Sequence, residues 1–136
     1  LKALDTLSRN PDGFFLMIEG SNIDKAAHSS NLEEMMEELL DFDRTAGAVL
    51  DWASKHPGTL VVITADHNTG AFALTGGSRE KGEITARFGS GSHDGVAVPV
   101  YAFGAGSGDF TGIYENTDIF NKIMNALKKG ADKPVR

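Results

Sequence analysis

Two unbroken apolar runs, each stopping at a carboxylate, constrain this chain more than anything else in it. The first, Phe14-Phe15-Leu16-Met17-Ile18, ends at Glu19; a turn follows, with Asp24 and His28 four residues apart. The second, Thr59 to Thr64, ends in Asp66-His67-Asn68-Thr69-Gly70. Continuous apolar runs bounded by turns read as strands buried on both faces, which is the habit of parallel sheets. Ligands of such sheets sit beyond the carboxyl ends of the strands. The polar residues that close the two runs are therefore the first place to look for chemistry.

Between the runs lies a long helix. Asn31 is its predicted N-cap, Glu33 and Glu34 suit its positive end, and Leu32, Met35, Met36, Leu39, Leu40, Ala46, Val49, Leu50 and Ala53 form its apolar face. It should end near His56-Pro57-Gly58, where a cationic His56 would meet the negative end of the helix. Leu1, Leu4 and Leu7 mark a short first helix, stopped by Asn10-Pro11-Asp12-Gly13. After the second run, the apolar pieces 71–74 and 84–88 flank Gly76-Gly77-Ser78, a hairpin pattern. A loop with His93 at its centre leads to a third strand, 96–103, and a last helix carries Ile119, Phe120, Ile123, Met124 and Leu127. The pattern predicts an α/β fold, a three-layer α/β/α arrangement with a mainly parallel sheet. Residues 1–129 read as the folded portion and 130–136 as a polar tail.

With 136 residues and 40% hydrophobic content, one domain with a real core is expected. A net charge of −6 argues against nucleic acid as a partner, but metal ions could still give a phosphate a positive site. There is no cysteine, so disulfides and thiolate metal sites are excluded. No apolar run reaches bilayer-spanning length, and neither a signal peptide nor an initiator Met opens the chain.

The candidate ligands are Glu19, Asp24, His28, Asp66, His67 and His93, and they take three of the four histidines. Carboxylate and imidazole are hard to borderline donors that suit zinc or a similar divalent ion. On a helical turn, Asp24 and His28 share one face. Taken singly, each residue has a plain structural role: a loop carboxylate, a helix-surface ion pair, an N-cap at Asp66, a hydrogen-bonded loop histidine. Taken together, five such accidents would have to coincide. Elsewhere the plain role suffices. Met35-Met36 follows the apolar stripe, Glu33, Glu34, Glu37 and Glu38 form a solvated patch, and Gly104 to Gly108 lacks the Lys-Ser/Thr ending of a phosphate loop.

Residues 15–28, 62–70 and 91–104 resemble the carboxyl-terminal half of bacterial alkaline phosphatases, and the resemblance runs from about Leu1 to Lys128. It implies two zinc ions and a magnesium ion. Asp24, His28 and His93 match the ligands of the first zinc, which activates water and stabilises the leaving group in alternate steps. Asp66 and His67 match ligands of the second zinc, which activates a serine nucleophile, and Glu19 matches a magnesium ligand. Lys25 stands where some members carry a lysine that reaches the phosphate through water and others carry tryptophan or histidine. The nucleophile motif, further magnesium ligands and the phosphate-clasping arginine have no counterpart in this sequence. The resemblance thus implies part of a phosphate-monoester hydrolase, inactive alone, completed by an amino-terminal half. The parent would be periplasmic or secreted, act on small monoesters and be homo-oligomeric. Related phosphodiesterases and sulfatases share the ligand types, and a non-catalytic metal-binding domain is the rival from another class.

Overall fold

The computed structural model describes residues 1–131. In chain order they form α1 (Lys2–Leu7), α2 (Ser21–His28), α3 (Leu32–Ser54), β1 (Leu60–Thr64), β2 (Asn68–Thr69), β3 (Ala73–Ser78), β4 (Glu83–Arg87), β5 (His93–Asp94), β6 (Val100–Gly104), a 3-10 turn (Ser107–Phe110) and α4 (Asp118–Ala131). They divide into two compact units. One holds Leu1–Ile18, Thr45–Thr64 and the described residues from Val100 on; the other holds Glu19–Arg44 and Ala65–Pro99.

The second unit carries every candidate ligand. Its core is small: Ala26 and Ala27 of α2 and Met35 of α3 are buried, with Ile23, Leu32, Phe72 and Phe88 packed against them. Alanines at the contact let α2 lie close to its neighbours. The side of α2 bearing Asp24 and His28 is turned away from that core, as the 3.6-residue period requires. Asn31 starts α3 with a reciprocal cap: the Glu34 N–H donates to Asn31 Oδ1 at 3.2 Å, and Asn31 Nδ2 donates to Glu34 Oε2 at 3.0 Å. β3 and β4 form the expected antiparallel hairpin, with a register shift between Leu74 and Gly76. Gly76-Gly77-Ser78 belongs to β3 itself, and the turn lies beyond it. Gly77 has φ +142°, and a Cβ there would collide with the Glu83 carbonyl, so only glycine allows the strands to close. β2 and β5 are a two-residue antiparallel ladder that sets Asn68 opposite Asp94 and Thr69 opposite His93.

In the first unit, β1 pairs antiparallel with β6, from Leu60 opposite Gly104 to Thr64 opposite Val100. Leu4, Ala53, Val61 and Phe110 are its buried apolar residues. Phe14 meets Trp52 edge-on, at 6.2 Å between ring centroids. His56 stacks on Trp52, and its Nδ1–H donates to the Trp52 carbonyl at 2.7 Å.

Among the described residues the mainly parallel sheet of a three-layer α/β/α fold does not occur. Among the described residues there are three two-stranded sheets, all antiparallel. Two physical reasons account for the difference. The run 14–18 is not a strand: it bonds to no ladder, and Phe15 and Met17 are 64% and 74% exposed. The segment between β1 and β6 contains the β3–β4 hairpin, the β2–β5 ladder and no helix, so nothing carries the chain back across a sheet face. The chain re-enters from the end it left, which makes the pairing antiparallel. The third strand is also shorter than predicted, beginning at Val100 rather than Val96. Of the tail expected over 130–136, the first two positions end α4 and residues 132–136 lie outside the described residues.

Candidate metal centre

α2 presents Asp24 and His28 one helical turn apart, and the β2–β5 ladder delivers His93 opposite them. The imidazole nitrogens His28 Nε2 and His93 Nε2 are 3.0 Å apart. Asp24 Oδ2 is 3.3 Å from His28 Nε2, and Asp24 Oδ1 is 3.5 Å from His93 Nε2. A tetrahedral ion bound at about 2.0–2.1 Å spaces its ligand atoms roughly 3.3–3.4 Å apart. The three observed separations, two of them to different oxygens of the Asp24 carboxylate, fall on either side of that value. The donor set of one carboxylate and two imidazoles is also the chemistry that zinc takes.

The orientation of His28 supports the fit. Its Nδ1 lies 2.8 Å from the Gly91 carbonyl, which can only accept, so Nδ1 carries a proton and Nε2 is the nitrogen left for ligation, on the side of Asp24 and His93. A histidine that donates its far nitrogen to a carbonyl is the usual support of a metal ligand. Gly91 belongs to the loop that carries His93, so one contact orients one imidazole and anchors the loop of the other.

His67 lies against the same cluster. Its ring stacks on that of His93, with centroids 3.5 Å apart. Ligand atoms of Asp24, His67 and His93 all fall within 4.8 Å of one another. His67 Nε2 is 3.3 Å from Asp66 Oδ2, while Asp66 itself is at the rim, its side chain 86% exposed. Two overlapping groups result, sharing Asp24 and His93: one adds His28, the other His67.

Electrostatics keep the carboxylate ready. The Thr69 hydroxyl donates to Asp24 Oδ1 at 2.6 Å and, with the neighbouring histidines, holds Asp24 below the ordinary carboxylate value against the opposing effect of burial. Asp94 is the buckle of the β2–β5 ladder. It accepts from the Val96 N–H at 3.0 Å, from Asn68 Nδ2 at 2.9 and 3.1 Å, and from the Ala71 N–H at 3.1 Å. These bonds keep it ionised and tie the residues after His67 to those after His93.

The remaining predicted residues stand apart. Glu19 is exposed and is not among the converging ligands. Lys25 is exposed, and its ammonium donates to Asn22 Oδ1 at 3.2 Å. Thr69 and Asp94 were not legible as site residues. The usable signals were faint: Thr69 is two positions after His67, hence on the same side of an extended strand, and Asp94 directly follows His93.

Comparisons with known proteins place the chain in a family. The family model for alkaline phosphatase matches residues 1–87. Alkaline phosphatase 4 of Bacillus subtilis (strain 168) is 30% identical over 198 residues, covering 96% of this chain and 43% of the relative. Streptomycin-6-phosphate phosphatase of Streptomyces griseus is 36% identical over 132 residues, covering 85% of this chain and 29% of the relative. A solved variant of alkaline phosphatase from the Antarctic bacterium TAB5, with magnesium bound in its M3 site, is 41% identical and superposes with a TM-score of 0.84, covering 93% of this chain and 39% of that one. The chain thus spans less than half the length of these relatives. No helix among the described residues is long and apolar enough to cross a membrane. With its family model matched over residues 1–87 and its elements superposing on a solved member, the chain belongs to the alkaline phosphatase family.

Proposed function

We propose that this chain contributes the zinc-gripping face of a phosphate-monoester hydrolase. Asp24, His28 and His93 would hold one zinc, Asp66 and His67 would supply two ligands of a second, and Glu19 would contribute to a magnesium site together with groups from outside this sequence. The observation that carries the reading is the set of three separations, 3.0, 3.3 and 3.5 Å, among Asp24, His28 and His93. When bound, zinc polarises phosphoryl oxygens and brings water into its reactive range near neutral pH. The chain's own residues do the rest. Asp24 stays ionised, the Gly91 carbonyl keeps the His28 lone pair aimed at the ion, and the His67–His93 stack limits how far either ring can turn.

The substrates would be small phosphate monoesters. The serine nucleophile would lie outside this sequence, so the 136-residue chain should be nearly inert. Loss of a hydrolase nucleophile costs on the order of a millionfold in turnover.

Calorimetric titration of the metal-free chain with zinc tests this reading, with cobalt absorption to report ligand geometry. His28→Ala and His93→Ala should each weaken the tighter step sharply, and Lys25→Ala should not. Zinc uptake indifferent to both histidines, or no uptake at all, would refute the metal assignment. Brisk hydrolysis of p-nitrophenyl phosphate by the chain alone would refute the placement of the nucleophile.

A further inference from the structure

Thr69 is the only buried polar residue in the described chain, 8% exposed, and the hydrogen bonds at its hydroxyl are fully determined. Its O–H donates to Asp24 Oδ1 at 2.6 Å, since a carboxylate can only accept. The single hydroxyl proton is thereby used. The contact of 3.1 Å between Thr69 Oγ1 and His67 Nδ1 must therefore be donated by the histidine. The order of donors is His67 Nδ1–H to Thr69 Oγ1–H to Asp24.

We propose that the Thr69 hydroxyl is a positioning group that ties the ligands of the two metal ions to each other. The inference rests on the two-ion reading above, in which Asp24 serves one ion and His67 the other. The hydroxyl does two things at once. It places the His67 proton on Nδ1, so Nε2 is the nitrogen offered for ligation, on the side where Asp66 Oδ2 lies 3.3 Å away. It also fixes Asp24 Oδ1, while Oδ2 faces His28 at 3.3 Å. The two-residue ladder makes this possible, because Thr69 pairs directly with His93 in register. A displacement of either ligand is passed to the other through two hydrogen bonds that share one oxygen.

Thr69→Val keeps the shape and removes the hydroxyl; Thr69→Ser keeps the hydroxyl and removes the methyl. In zinc titrations of the metal-free full chain, Thr69→Val should weaken both binding steps by roughly 10–100-fold, the usual cost of losing a group that supports a ligand. Thr69→Ser should restore them. Wild-type affinity in Thr69→Val at either step would overturn the tie, since one ligand set would then be independent of the hydroxyl. A second measurement needs no metal: nitrogen-15 NMR of the metal-free wild-type chain, with His67 neutral, should show the Nδ1–H tautomer. The Nε2–H tautomer would overturn the proposal even if Thr69→Val fails to fold. Should the wild-type chain take up no zinc, the metal reading fails on its own, while the tautomer still decides the hydrogen-bond order.

Discussion

Replacing Gly70 by alanine is the most direct way to ask whether the close approach of β2 to α2 holds the site together. Gly70 follows β2 with φ +80°, and a Cβ there would lie 2.9 Å from Phe88 Cδ1 and 3.2 Å from the Ala27 carbonyl oxygen. The left-handed backbone costs a non-glycine residue about 1–2 kcal/mol. Pressing a methyl group into Phe88, itself packed against the core of this unit, adds about 1–2 kcal/mol more. The sum, roughly 2–4 kcal/mol, is a large share of the ~5–15 kcal/mol that holds a domain folded. Gly76→Ala is the control. Gly76 is not in the left-handed region, and its nearest neighbour to a new Cβ is Thr85 Cβ at 3.7 Å. In urea unfolding followed by far-ultraviolet circular dichroism, Gly70→Ala should lower the midpoint by about 1–2 M at a typical slope of ~2 kcal/mol per M. The control should move it far less. Equal stability of the two variants would refute the reasoning, because the helix contact and the backbone strain would then both be without weight.

Two further expectations concern the first unit. Lys129 Nζ donates to Asp109 Oδ2 at 2.8 Å, and that bond, with the lysine's charge, lowers the Asp109 pKa from 3.8. A carboxyl depressed on folding binds its proton more readily unfolded, so its stabilisation is present above the unfolded value and is lost as pH falls through the folded one. The gap in urea midpoint between wild type and Asp109→Asn, small for an exposed pair, should therefore close on acidification; a gap that widens would reverse the sign of the argument. Separately, Phe15, Met17, Tyr101 and Phe120 are exposed, a load of apolar surface that favours association. Light scattering should show self-association rising with concentration, and a monodisperse monomer at high concentration would refute it.

The convergence of Asp24, His28 and His93 was easier to read from the sequence than the architecture around them. Asp24 and His28 fall on one helical face because i and i+4 always do, and Asn31 caps α3 as its residue type and position predict. Strand direction is another matter. Val61 to Ile63 are apolar whichever way their neighbour runs, so the run suggested a parallel sheet where β6 in fact pairs antiparallel. Phe14 to Ile18 shows a related limit. Burial on both faces needs neighbours as well as apolar side chains, and the pattern of one segment says nothing about whether those neighbours are present. Thr69 escaped notice because threonine before glycine reads as ordinary turn chemistry; its importance lies in a bond to a residue 45 positions away.

The distances along the chain also set an order in time. His28 and His93 touch across 65 residues of sequence, and Asp24 reaches Thr69 across 45. Closing loops of that length costs entropy before any contact repays it, so these atoms should meet late, after α2 and the β3–β4 hairpin have formed locally. The last part to assemble is commonly the first to come undone. A cation arriving there would act as a latch, adding its binding free energy to the least cooperative stretch of the chain and slowing its first step towards unfolding.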